Sequence, residues 1–476
     1  MAGLTVATTT GGTTTIAQEA VDTLTAGLRG ALLTAGTPGY DEARTIWNAM
    51  IDRKPALIVE CAGAADVAKA VTFAGDHGLL VSVRSGGHNI AGSAVCDGGM
   101  MISLATMKSI RVDPAARRAW VEPGNTLGDV DTETQQYALA VPVGINSTTG
   151  IAGLTLGGGF GWLSRKHGLT IDSLVSADVV TPAGELVRAS ATENTELFWG
   201  IRGGGGNFGI VTAFEFELHP VGPEVLSGLI VHPFKDAKNV LQYYREFCAT
   251  APEELTVWVV MRKAPPLPFL PEDVHGTEVL ILATLYAGDM ADGEKALAPL
   301  REFGNPIADV VSPHPFTGFQ AAFDPLLTPG SRNYWKSHDF LELSDGLVDT
   351  LLAAVEDLPD PQCEVFIAHM GGATNRIPAD ATAYSHRDAQ FIMNVHGRWD
   401  DAGRDERCIG WCRELFDAAT PFATGGVYVN FMTEEETERV KSAYGDSYER
   451  LVKLKQTYDP TNMLRLNQNV KPVGRE

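Results

Sequence analysis

Residues 191–218, ATENTELFWGIRGGGGNFGIVTAFEFEL, hold Gly204, Gly206 and Gly209 in the G-x-G-x-x-G spacing of a dinucleotide-binding loop. Such a loop works in one chain order only, strand then turn then helix, because the pyrophosphate must meet a helix N-terminus. Here the order is reversed. ATENTELFWGIR reads as a helix with Thr192 or Asn194 as its cap, and IVTAFEFEL reads as a strand. A Rossmann fold is therefore rejected, and a P-loop is too, since no Gly-Lys-Ser/Thr follows any glycine run.

Two further stretches are equally rich in glycine, Ser85–Gly92 and Gly144–Gly161. Any one of the three alone reads as a turn. Three in one region point elsewhere: consecutive backbone N–H groups freed of side chains form a concavity that holds an anion such as a pyrophosphate without any helix. A chain of formal net charge -22 has few lysines to spare for that task. The same charge argues against nucleic acid or an anionic membrane as partner, since both require a basic face. Small-molecule chemistry is the remaining expectation.

With 476 residues, 44% of them hydrophobic, the chain is too long for one core and reads as two or more domains. Its six cysteines are scattered, and Cys408 and Cys412 lack the second pair of a zinc site, so buried thiols and no metal are expected. The opening MAGLTVATTTGGTTTIAQEA has neither a basic nor an apolar signal region, which predicts a cytoplasmic protein with a disordered lead-in over 1–15.

The element pattern is α+β. A strand Ala56–Val59, a helix Ala65–Ala74 and a strand within LLVSVRS open it, and short β-branched runs between glycine turns follow from Met100 to Pro220. Beyond Pro220, VLSGLIVHPF, LTVWVVMRK, TEVLILATLYA, CEVFIAHMGG and FIMNVHGRW read as strands of an antiparallel sheet with helices at 236–250, 293–303 and 405–418. ATGGVYVNF reads as a further strand, and 434–457 as one long helical stretch stopped at Asp459-Pro460.

Four motifs in order, RSGGHN (84–89), GLTLGGGFGWLSRKHGLTID (153–172), LFWGIRGGGGNFGIVT (197–212) and YDPTNMLRLNQNV (458–470), together resemble the berberine bridge enzyme-like group of FAD-linked oxidases. The resemblance spans about Ala56 to Pro472 and implies the vanillyl-alcohol oxidase, or PCMH, type of flavin fold. It implies a two-part FAD-binding domain over 16–220, a substrate domain over 221–424 whose antiparallel sheet is flanked by helices, and a segment 425–476 returning to the flavin domain. It also implies covalent FAD, bonded at its 8α-methyl to His88, where Gly86 and Gly87 let the backbone approach the cofactor. Asn146 stands where some members carry a second tethering cysteine, so a single tether is implied; Leu154 stands where plant members often carry a histidine.

By the same resemblance the cofactor contacts are Arg84, Ser85, Gly86, Gly87, His88, Asn89 and Ser93 in the first loop, with Gly144, Thr148, Thr149, Gly150, Gly153, Leu154, Gly158, Gly161 and Trp162 in the second. Gly209, Ile210 and Val211 follow in the third, and Asn467 and Asn469 near the C-terminus.

The implied reaction takes hydride from a CH–OH or CH–NH carbon of a sugar, alcohol, alkaloid or polyketide, while a base removes the O–H or N–H proton and dioxygen becomes hydrogen peroxide. On the GGVYVNF strand, period-two alternation points Tyr428 and Asn430 the same way, as base or hydrogen-bonding group and as positioning group. Glu364, His369, Asn394 and His396 are possible helpers, each equally readable as a satisfied core residue. Tyr334 and Trp335 are expected to wall the pocket, and His386 and the basic residues of SRKHG to be structural. Alternatives are a dehydrogenase that avoids oxygen and a noncatalytic flavin-fold binding protein. The partners expected are a small-molecule substrate and dioxygen, with a monomer or homodimer as the assembly.

Overall fold

The computed structural model describes residues 3–474. Three sheets carry the architecture. In the first, the strands run Ala31–Leu33, Leu57–Glu60, Met100–Ser103, Val81–Arg84, and the last three are mutually parallel. The second is antiparallel, in the order Leu186–Ser190, Leu174–Val180, Ile210–Glu217, Arg118–Val121, Ile110–Asp113. Helix Ala64–His77 joins the two: Val67, Ala70, Val71 and Ala74 recur at helical spacing and are buried in one core with Leu57, Ile102, Val180 and Ile210.

The third sheet has eight strands, all paired antiparallel. Leu255–Lys263, Glu364–His369, Phe391–Trp399 and Arg332–Phe340 lie side by side in that order, the last of them at the sheet edge. These strands bury residues on both faces because both are covered. Val257, Val259, Met261, Val365, Ile367, Met393 and Val395 point into a core shared with helices Ala237–Cys248, Asp345–Glu356 and Asp405–Ala419. The alternate residues Trp258, Ala368 and Ile392 belong to a different cluster on the opposite face, with Phe160 and Tyr428. That second face is where the flavin-type half of the molecule meets the sheet.

Several expectations are corrected here. The lead-in is an ordered hairpin, Leu4–Ala7 on Thr13–Ile16, with Gly11 at φ 83° in its turn and Val6 and Ile16 buried. Its threonines look like low complexity, but β-branched residues either side of a glycine turn suit a hairpin that can bury one face. Residues 1 and 2 lie outside the described residues. GGVYVNF is no strand: Val429–Phe431 is a single 3-10 turn, closed by Phe431 N–H donating to the Tyr428 carbonyl at 2.9 Å. The segment packs on the sheet face, so its backbone pairs with itself instead of a neighbour. The expected long helix over 434–457 is broken into Val440–Tyr444 and Tyr448–Tyr458 by Gly445 at φ 49°. Before helix Thr195–Ile201, Asn194 holds the cap position, but its amide donates to the Arg188 carbonyl at 2.7 Å instead of capping. All six cysteines are buried thiols, and no described helix is long and apolar enough to cross a membrane.

The YDPTNMLRLNQNV motif is a charge-centred clasp. Asp459 ends the helix and accepts from Met463 N–H at 2.8 Å, Leu464 N–H at 2.9 Å and Lys455 Nζ at 2.7 Å. Lys455 Nζ also donates to the Asn207 carbonyl at 2.9 Å, which ties the third glycine loop to the C-terminal segment. Both side chains are 0% exposed. Removing one member of a buried ion pair strands the other in low dielectric, at about 3–5 kcal/mol. Lys455→Met is therefore expected to lower the unfolding free energy read from a urea titration by that margin, and Lys455→Met/Asp459→Asn to recover part of it; equal unfolding free energies for Lys455→Met and the parent would refute the clasp.

Candidate active site

The three glycine loops and the central sheet enclose a cavity of about 340 Å³. Its wall opposite the sheet is bare main chain. A Cβ on Gly86 would come within 2.5 Å of Gly150 Cα, so the first and second loops touch only because both lack side chains. A Cβ on Gly153 or Gly206, both bordering the cavity, would meet nothing within 4 Å. Main chain therefore faces open volume at these points, which is the cradle a dinucleotide requires. Asn467 borders it as well, with an Oδ1 that has no partner among the described residues.

His88 stands at the rim of this cradle. Its Nε2 lies 3.1 Å from Thr148 Oγ1 and its Nδ1 3.5 Å from Thr149 Oγ1. The Thr148 hydroxyl donates to Asn146 Oδ1 at 2.7 Å, so it receives the Nε2 hydrogen of His88 and leaves the lone pair on Nδ1. Burial brings the imidazole down to about 4, which keeps it neutral at physiological pH. Trp47 stacks on it, ring centres 5.0 Å apart and planes 21° from parallel.

The sheet side of the cavity is built from one register row. Arg262 pairs with Glu364, Glu364 with His396, and His396 with Trp335, each on a neighbouring strand. Arg262 Nη1 donates to Glu364 Oε2 at 2.7 Å, and His396 Nδ1 lies 3.2 Å from Glu364 Oε1. Burial would raise the Glu364 carboxyl, but the Arg262 guanidinium and the His396 hydrogen bond bring it to about 2. A carboxylate only accepts, so His396 is the Nδ1–H tautomer. Its Nε2 keeps a lone pair and has no partner among the described residues. Burial lowers the His396 pKa, opposed by Glu364 and reinforced by Arg398 and Arg262.

Aromatic rings fill the rest of that wall. Trp258 and Phe366 stack in parallel with centres 5.8 Å apart, Phe431 meets Phe366 edge-on at 5.9 Å and Trp335 at 5.5 Å, and Phe160 meets Tyr428 at 4.8 Å. The Tyr428 oxygen accepts from Gly159 N–H at 3.1 Å and from Asn430 Nδ2 at 2.9 Å. Burial raises this phenol to about 12, against the lowering by those two donors. With both lone pairs used, the O–H hydrogen is what Tyr428 has left to offer.

Of the residues singled out from sequence, Ser85, Gly86, Gly87, His88, Asn89, Ser93, Gly144, Thr149, Gly150, Gly153, Leu154, Gly209, Ile210, Val211, Asn467, Tyr428, Asn430, Glu364 and His396 border the cavity. Others do not. His369 has the wrong parity on its strand: it points into the helix core, 2.8 Å from Arg165 Nη1 and stacked on Phe391. Arg84 turns away to the Ala43 carbonyl, and Thr148 touches His88 from behind. A Cβ on Gly161 would reach the Val143 carbonyl at 1.9 Å, and one on Gly158 would meet Tyr384 and Tyr428, so both serve loop packing. Trp162 is a second layer behind Trp258, centres 4.7 Å apart. Asn469 and Asn394 keep unpaired side-chain atoms away from the cavity. Tyr334 does not reach it either; its hydroxyl binds Glu435, whereas Trp335 does wall it. Trp47, Arg262, Trp258, Phe366 and Phe431 were missed. Period-two parity with Trp258 was the one signal that could have flagged Arg262.

Comparison with known proteins follows this geometry. Residues 55–190 match the family described as FAD binding domain, and residues 427–471 the family described as Berberine and berberine like. An FAD-linked oxidoreductase of Bacillus subtilis is 31% identical, covering 94% of this chain and 98% of its own. The (R)-6-hydroxynicotine oxidase of Paenarthrobacter nicotinovorans is 30% identical over 94% of this chain and 98% of its own. The crystal structure of 6-hydroxy-D-nicotine oxidase from Arthrobacter nicotinovorans superposes with a TM-score of 0.85 at 28% identity, covering 93% of this chain and 98% of that one.

Proposed function

The chain belongs to the berberine-like family of FAD-linked oxidoreductases, and on that premise we propose that it is an oxidase with FAD bonded to His88, acting on a flat, largely aromatic metabolite. The reacting carbon of that metabolite carries one hydroxyl or one uncharged amine. Bound FAD supplies the acceptor for hydride and the route of two electrons to dioxygen.

The chain's own residues divide the remaining work. The loops at Gly86, Gly150, Gly153 and Gly206 hold the diphosphate through main-chain N–H groups. His88, neutral, forms the tether. His396 Nε2 accepts the substrate proton, Glu364 orients the imidazole through Nδ1–H, and Arg262 keeps Glu364 ionised. Tyr428 donates its O–H to the substrate heteroatom, with Asn430 and Gly159 fixing the phenol.

The observation that carries the substrate class is the Arg262–Glu364–His396 row set beside rings. Against Trp258, Phe366, Phe431, Phe160 and Trp335, the wall offers few hydrogen-bonding groups. Each buried hydroxyl left unpaired costs about 1–3 kcal/mol, so a saccharide with many hydroxyls is disfavoured and an aromatic compound with one is not. Both oxygens of Glu364 are engaged, so no free carboxylate draws a cationic amine. The relative from Paenarthrobacter is, by its name, an oxidase of 6-hydroxynicotine, which fits an aromatic substrate.

The test is a panel of aromatic alcohols, neutral cyclic amines and oligosaccharides offered to the flavin-loaded protein, with peroxide measured. Aromatic compounds are expected to exceed saccharides in kcat/KM by about 100-fold, the equivalent of two unpaired hydroxyls. Faster turnover of saccharides would overturn the substrate class. Flavin reduction without peroxide would favour the dehydrogenase.

A further inference from the structure

Residues 47 and 48 join two parts of the molecule that the chain separates by about 280 positions. Trp47 N–H donates to the Gly87 carbonyl at 3.1 Å, beside His88, while its indole N–H donates to the Leu327 carbonyl at 3.0 Å. Asn48 spends its whole amide on the same join. Its Nδ2 donates to the Ile90 carbonyl at 3.1 Å and the Asn333 carbonyl at 2.9 Å, and its Oδ1 accepts from Asn333 N–H and Met50 N–H, both at 3.1 Å. Trp47 is 4% exposed and Asn48 3%. The indole so fixed is the one stacked on His88, and the Arg398 guanidinium carbon lies 5.4 Å from its centre.

Resting on the reading of His88 as the flavin tether, we propose that Trp47, clamped by Asn48 between the histidine loop and the substrate sheet, is the positioning residue for that covalent bond. The other side-chain partners of His88 are two threonine hydroxyls, at 3.1 and 3.5 Å, and neither holds the plane of the ring. The indole face does. A lone pair must meet the methyl carbon along one direction, and a misalignment of this kind costs about 100-fold in rate. The bond balances simply: one hydrogen leaves the flavin 8α-methyl, one leaves the imidazole, carbon joins nitrogen, and the two electrons and two protons convert dioxygen to hydrogen peroxide.

The experiment follows covalent incorporation, not turnover. Apoprotein from riboflavin-starved cells is mixed with FAD in air, and acid-stable flavin and the mass of the His88 peptide are followed in time. Trp47→Leu and Trp47→Met, the second keeping bulk without a flat face, are expected to incorporate at least about tenfold more slowly, and Trp47→Phe within about threefold of the parent. Dissociable FAD binding and the thermal midpoint of each variant report on its fold. Trp47→Met at the parental rate would overturn the proposal. An unmodified His88 peptide in the fully loaded parent would instead remove the tether on which it rests.

Discussion

His88→Ala is expected to abolish acid-stable flavin while leaving FAD bound in exchangeable form. The two halves of this result have separate physical causes. The bond requires a nitrogen with a lone pair at the rim of the cradle, and His88 is the group placed there, its lone pair on Nδ1 because Nε2–H is engaged by Thr148, with only the long contact from the Thr149 hydroxyl at 3.5 Å to it. In the proposed site the grip on the diphosphate comes from main chain around Gly86, Gly150, Gly153 and Gly206, which the substitution does not touch. The fold is expected to tolerate the change, since the imidazole makes only two side-chain hydrogen bonds of about 1 kcal/mol each. With its pKa near 4, His88 keeps its lone pair throughout the neutral range, so incorporation into the parent should be flat from about pH 6 to 8 and fail only as the ring protonates. Acid-stable colour in His88→Ala would place the bond on another residue.

What was legible from sequence divides along the same line. The glycine loops were readable because they are marked by absent side chains and by chain order: a helix before the glycines and a strand after them is a local fact, and the structure has Thr195–Ile201 and Ile210–Glu217 there. The substrate sheet was readable as strands but not as faces. Its strands carry buried apolar and polar residues on both sides, so alternation could not tell whether Glu364 or His369 met the cavity; only the helices packed on Val365 and Ile367 decide it. Parity with Trp258 could place Arg262 on the cavity face, but not its pairing, because its partner lies 102 positions away and is found only through register. Trp47 was invisible for the same reason. The GGVYVNF error is the converse case, a good alternating pattern with no neighbouring strand to pair with. Even so, Tyr428 and Asn430 end on the same side, joined by their own 2.9 Å hydrogen bond.

Magnitude favours His396 over Tyr428 as the proposed proton acceptor. A phenol held near 12 is ionised in roughly one molecule in 10⁵ at pH 7, whereas His396, lowered by burial, is a neutral imidazole with a lone pair there. His396→Ala is therefore expected to slow anaerobic flavin reduction by about 10²–10⁴, and Tyr428→Phe by about tenfold, the loss of one hydrogen bond. The pH profile separates the roles further. An acceptor must be unprotonated, so kcat/KM should rise with pH along an acid limb that lies beneath the usual histidine value. In Glu364→Gln the charge that raises that pKa is gone while Arg262 and Arg398 still lower it, so the acid limb should move to lower pH as the plateau rate falls. A structural glutamate would lower the plateau and leave the limb in place. An unmoved limb in Glu364→Gln, or unchanged flavin reduction in His396→Ala, would take the proton away from this row and leave Tyr428, ionised only once substrate and flavin are bound, to carry it.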